Sequence, residues 1–157
     1  GADGRIDPER LTDLLDRTGW GDPHRSQPSV LSLTQPTDLG TVSGRLAMEI
    51  PARAVRLVAL HPLADRPQFL STDRHVTQGG TSLLDCRWTG TALEMELAVV
   101  PGHAFTYRFR LPEGFAFAVA DVAGARVEGT ELSGQVLAIK VAGLRAETAK
   151  LVLRFSH

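Results

Sequence analysis

Ser71, Asp73 and His75 put a hydroxyl, a carboxylate and an imidazole at alternate positions of one short segment, the three groups that acyl-transfer chemistry uses. A working triad is a spatial arrangement completed by an oxyanion hole, and no Gly-x-Ser-x-Gly turn accompanies Ser71 to supply one. The structural reading of the same residues is that they hydrogen-bond the loop backbone, since polar groups of a packed loop need such partners. The enclosing stretch, from Asp65 to Gly80, is the most polar and least patterned part of the central chain. Irregular segments held by a rigid scaffold often carry function, so a ligand is expected there, at Asp73, Arg74, His75 and Gln78, with Trp88 beside them.

Other chemistries are poorly provided for. His24, His61, His75, His103 and His157 are scattered, with no pair at helix or strand spacing, so no metal site is expected. Cys86 is the single cysteine, which leaves no disulfide or cysteine cluster to form. It alternates with Leu84 and Trp88 and reads as a small core hydrophobe rather than a nucleophile. Trp20 and Trp88 could stack on a sugar, but aromatic residues are 6% of the chain and most fall on faces expected to point inward. Trp88 then reads as the large end of a core row. Gly79-Gly80 reads as a turn, and no Gly-rich phosphate loop is present, so no cofactor is expected. Lys and Arg number 17 against 18 Asp and Glu, a formal charge of -1, which gives no footprint for nucleic acid or an anionic membrane. No signal peptide and no run of apolar residues long enough for a spanning helix is visible.

The elements that must position these residues are strands. Leu93, Met95, Leu97 and Val99 alternate with Glu94 and Glu96, and Phe105, Tyr107, Phe109 and Leu111 alternate with Thr106, Arg108 and Arg110. Successive side chains of a strand point to opposite faces, so each run has one buried and one wet face, as in an antiparallel sheet. A hairpin is expected across Pro101-Gly102, pairing Val99 with Phe105, Glu96 with Arg108 and Glu94 with Arg110. The preceding hairpin, around Thr89-Gly90, is expected to pair Trp88 with Thr91, Cys86 with Leu93 and Leu84 with Met95, giving a three-stranded meander.

Strands are predicted near 30–34, 41–50, 54–60, 67–71, 82–88, 91–99, 105–111, 115–120, 135–141 and 148–155. So many short strands exceed what one twisted sheet holds well. The predicted fold is therefore all-β, an antiparallel β-sandwich over 30–157. In front of it, over 1–29, come a short N-terminal α-helix and a linker. Asp7 can cap that helix, Pro8 suits its first position, Leu11, Leu14 and Leu15 form its stripe, and Thr18-Gly19 stops it. At 157 residues this is one domain with an appendage.

Two stretches carry a family resemblance. Ile50-Pro-Ala-Arg-Ala-Val-Arg-Leu-Val-Ala-Leu-His-Pro62 resembles a phrase near the end of many glycoside hydrolases. Arg66-Pro-Gln-Phe-Leu-Ser-Thr-Asp-Arg-His-Val-Thr-Gln-Gly-Gly80, with the strands ending at Trp88 and near Pro101-Gly102, resembles the C-terminal β domain of bacterial α-galactosidase (melibiase)-like enzymes. The likeness spans about residues 30 to 115. It implies a noncatalytic accessory domain whose partner is a catalytic barrel carrying paired aspartates. No position here matches the barrel motifs, so no catalytic residue is assigned. The alternative is a carbohydrate-binding module, with a sugar as ligand.

Overall fold

A computed structural model describes residues 28–32, 37–41, 45–50, 52–53, 58–74 and 79–156. The chain divides into two compact units, Gly1–Leu63 and Ala64–His157, a division that falls inside the stretch read from sequence as one domain. The helix expected over 7–17 lies outside the described residues. In the first unit, β1 (Pro28–Ser32), β2 (Thr37–Thr41) and β3 (Val58–Pro62) form an antiparallel sheet in the order β2-β1-β3. Residues 45–50, expected to be extended within a strand over 41–50, belong to no strand.

The second unit is built of β4 (Gln68–Thr72), β5 (Leu83–Trp88), β6 (Ala92–Ala98), β7 (Ala104–Arg110), β8 (Ala116–Ala123), β9 (Ala125–Ser133), β10 (Val136–Gly143) and β11 (Thr148–Ser156). They make two four-stranded antiparallel sheets, β4-β7-β10-β9 and β5-β6-β11-β8. One apolar cluster takes side chains from both: Leu93, Met95 and Leu97 of β6 and Leu151 and Leu153 of β11 lie with Tyr107 and Phe109 of β7 and Leu137, Ile139 and Val141 of β10. Each of these is almost completely buried. Removing such a side chain from water is worth about 1.5–3 kcal/mol, so the four interior strands carry most of the packing energy.

The alternation across Leu93 to Leu111 is present, but the hairpin expected there is not. β6 pairs with β5 and β11, and β7 pairs with β4 and β10. Glu94 and Glu96 thus face Val152 and Lys150 on one side and Arg87 and Asp85 on the other, rather than Arg110 and Arg108. Alternation identifies the face a strand buries, not the neighbour it pairs with. Two strands of different sheets that feed the same apolar cluster show the same pattern as two strands of one hairpin.

The crossing is fixed by the connection itself. Pro101 has no N–H to extend a ladder, and the turn is caught on the end of β10. Gly102 N donates to Gly143 O at 3.0 Å and Gly143 N donates to His103 O at 3.0 Å. Gly143 permits this approach because a Cβ there would stand 2.5 Å from Val100 O.

The β5–β6 register also differs from expectation. Trp88 pairs with Leu93 and Cys86 with Met95, two residues away from the expected partners. The face is preserved, and Arg87 now lies directly opposite Glu94, their ion pair 2.5 Å long. Leu84, expected inward, is an extra residue in the ladder between Leu83 and Asp85 and is 53% exposed. Cys86, expected in the core, is exposed. It lies opposite the buried Met95, but on an edge strand, where neighbours on one side are missing. β9 was not anticipated at all: Glu128-Gly129 interrupts the alternation that marks a strand.

Candidate functional site

The polar segment after β4 uses its side chains to finish backbone pairing. Asp73 Oδ1 accepts from Thr106 N at 2.7 Å, while Asp73 N donates to Thr106 O at 3.2 Å. A carboxylate and an amide thereby prolong the β4–β7 ladder past the end of β4. Arg74 N donates to Thr72 Oγ1 at 3.3 Å. Its guanidinium donates to the carbonyl of Ala98, at the end of β6 in the other sheet, and lies 5.9 Å from the Phe105 ring centroid. Arg74 is therefore a tie between the two sheets. Charge-assisted bonds of this kind are among the stronger ones a protein makes.

Ser71 is fully buried opposite Arg108, and its Oγ has no hydrogen-bond partner. A serine nucleophile needs its base within hydrogen-bond reach; the Ser71 hydroxyl has none among the described residues. Arg108, half-buried on the same face, has its ionisation pushed down by desolvation, against a smaller opposing effect of Asp73. His75 and Gln78 lie outside the described residues.

Trp88 stands elsewhere. It is opposite Leu93, whereas Arg74 reaches Ala98, five residues along the same strand. At strand rise that is about 17 Å, so the structure does not bring Trp88 together with Asp73 and Arg74. The indole packs edge-to-face on Phe115, with centroids 5.9 Å apart, and tilted on Phe155 at 6.0 Å, with Phe117 against Phe155 at 6.3 Å. The four rings close one end of the apolar cluster. Every aromatic side chain among the described residues is buried or half-buried.

Among the described residues no group of three or more His, Cys, Asp and Glu converges on a metal position. The Cys86 thiol is pushed up chiefly by the desolvating atoms around its sulfur and then by Asp85, with Arg66 opposing. It is a poor thiolate at neutral pH. Glu94 and Glu96 lie side by side on one face of β6, not facing each other across a cleft as glycosidic hydrolysis requires.

One surface feature escaped sequence reasoning. Where the β8–β9 turn meets the loop between β10 and β11, a shallow depression of ≈ 500 Å³ is lined by Gly124, Leu144, Arg145 and Ala146. Leu144 N donates to Gly124 O at 3.2 Å. Gly124 has φ +81, and a Cβ there would meet Thr148 O at 2.7 Å, so glycine is required for the two turns to close up. Leu144 is left 48% exposed. Comparison of the chain with protein-family models, with curated proteins and with solved structures finds no significant match.

Proposed function

We propose that this chain is a noncatalytic accessory domain of a glycoside hydrolase, a β-sandwich that docks on a catalytic domain through the depression at Leu144. The two four-stranded sheets are its layers, a reading supported by the single apolar cluster fed from both. The observation offered for the docking role is Leu144, 48% exposed in a mostly apolar hollow built from two turns. The enzyme class rests on the resemblance of 50–62 and 66–80 alone. Asp73 and Arg74, where the polar, irregular segment leads a ligand to be expected, instead serve backbone groups.

The test is to determine the coding sequence flanking these residues in the source genome and to express the encoded polypeptide whole. The expected result is a barrel bearing two facing carboxylates, with Leu144→Asp speeding proteolytic release of this domain from it. Flanking sequence without a barrel, or release unaffected by Leu144→Asp, would overturn the proposal.

A further inference from the structure

In the two four-stranded sheets every edge strand carries one extra residue, and the interior pairs carry none. The β7–β10 and β6–β11 ladders run without a shift. In β4 the shift leaves Leu70 unpaired between Phe69 and Ser71, and in β5 it leaves Leu84 between Leu83 and Asp85. In β8 it leaves Ala118 between Phe117 and Val119, and in β9 it leaves Glu128 between Val127 and Gly129. In β8 the core-facing residues Phe117, Ala120 and Val122 are consequently spaced by three and then by two, where interior strands keep a strict two. A bulge bends its strand and breaks the row of free N–H and C=O groups that would template another strand.

The edges differ in what else protects them. β9 carries Arg126, Glu128 and Glu131, and β5 carries Asp85 and Arg87. The extra residue of β4, Leu70, is buried. β8, Ala-Phe-Ala-Val-Ala-Asp-Val-Ala, has a single charge, Asp121, bound to Arg154 at 3.3 Å, and its Val119 is 44% exposed. Without its bulge it would be a flat, mostly apolar edge with one charge, open to pairing with another strand.

We infer that the Ala118 bulge keeps this domain monomeric by denying the β8 edge to a second copy of the same chain. Arg154 already pairs with Val119 and Phe155 with Phe117, so deleting Ala118 closes the ladder without moving any other pair. The experiment is size-exclusion chromatography with light scattering over a hundredfold range of concentration, alongside circular dichroism and thermal melts. Wild type is expected to be monomeric throughout. The Ala118 deletion is expected to melt cooperatively at or above the wild-type temperature and to self-associate with rising concentration, and Val119→Lys added to the deletion is expected to restore the monomer. A deletion variant that is folded and monomeric would overturn the inference. So would one that does not fold, since the extra residue would then serve folding, and so would a wild-type chain that already self-associates.

Discussion

Gly143→Ala strikes the contact that sends β6 and β7 into different sheets. The added methyl would stand 2.5 Å from Val100 O, 2.9 Å from Val100 C and 3.2 Å from Val99 Cβ, with backbone on the other side of two of these contacts. The crossover must therefore move away by about 1 Å to reach ordinary contact distances. Overpacking of this kind costs about 1–3 kcal/mol. The shift also strains the Gly102 N to Gly143 O and Gly143 N to His103 O bonds, each worth about 1 kcal/mol net. Against this, alanine in place of glycine restricts the unfolded chain and returns about 0.5–1 kcal/mol. The expected net loss is about 2 kcal/mol, a fall in melting temperature of about 8–16 °C for a unit of this size. Gly129→Ala is the control, because no atom lies within 4 Å of a Cβ there; it should be neutral or stabilising by up to about 1 kcal/mol. Urea denaturation of the two variants and wild type, compared at equal slope, reads the difference directly. If Gly143→Ala proves as stable as Gly129→Ala, the crossover does not depend on that close approach and the reasoning fails.

Tyr107→Phe removes a buried hydroxyl that has no hydrogen-bond partner and should leave stability unchanged or raise it by up to about 1 kcal/mol, measured by the same melts. Burial, the larger cause, raises the Tyr107 ionisation above its ordinary 10.0, and Asp73 adds to this while Arg74 opposes it. The folded chain holds that proton more tightly than the unfolded one. Stability is therefore full below pH of about 10 and falls as pH rises through the raised value, a decline that Tyr107→Phe should reduce. Arg74→Met keeps the aliphatic stem but loses the bond to the Ala98 carbonyl and the position over Phe105; it should cost about 1–2 kcal/mol in a urea melt. A cost near zero would mean that Arg74 does not tie the sheets together.

Most strands of the two four-stranded sheets are legible in the sequence, and their neighbours are not. β6, β7, β10 and β11 were read with nearly correct bounds, since an interior strand over a shared core must alternate strictly, as Leu137, Ile139 and Val141 do. Among the edge strands, β4 and β8 also stand where strands are expected, near 67–71 and 115–120, whereas β5 pairs out of the expected register and β9 has no counterpart in the expected strands. At β5 the extra Leu84 put the wrong residue into the apolar row, and at β9 the extra Glu128 hid the strand. Pairing was not legible, because the facts that separate β6 from β7 are the missing side chain of Gly143 and hydrogen bonds to a strand some forty residues later. For the candidate site, the polar character of Asp73 and Arg74 was plain. Their partners, Thr106 and Ala98, are distant in sequence and only the fold supplies them. The hollow at Leu144 was invisible for the same reason, being made where two turns meet.

The most direct measurement is a set of cross-strand nuclear Overhauser contacts from β6 and β7. The placement of β6 and β7 in separate sheets requires contacts from Met95 to Leu151 and from Tyr107 to Ile139. Backbone contacts from Val99 to Phe105 and from Glu96 to Arg108 would instead join β6 and β7 in one sheet and contradict the account.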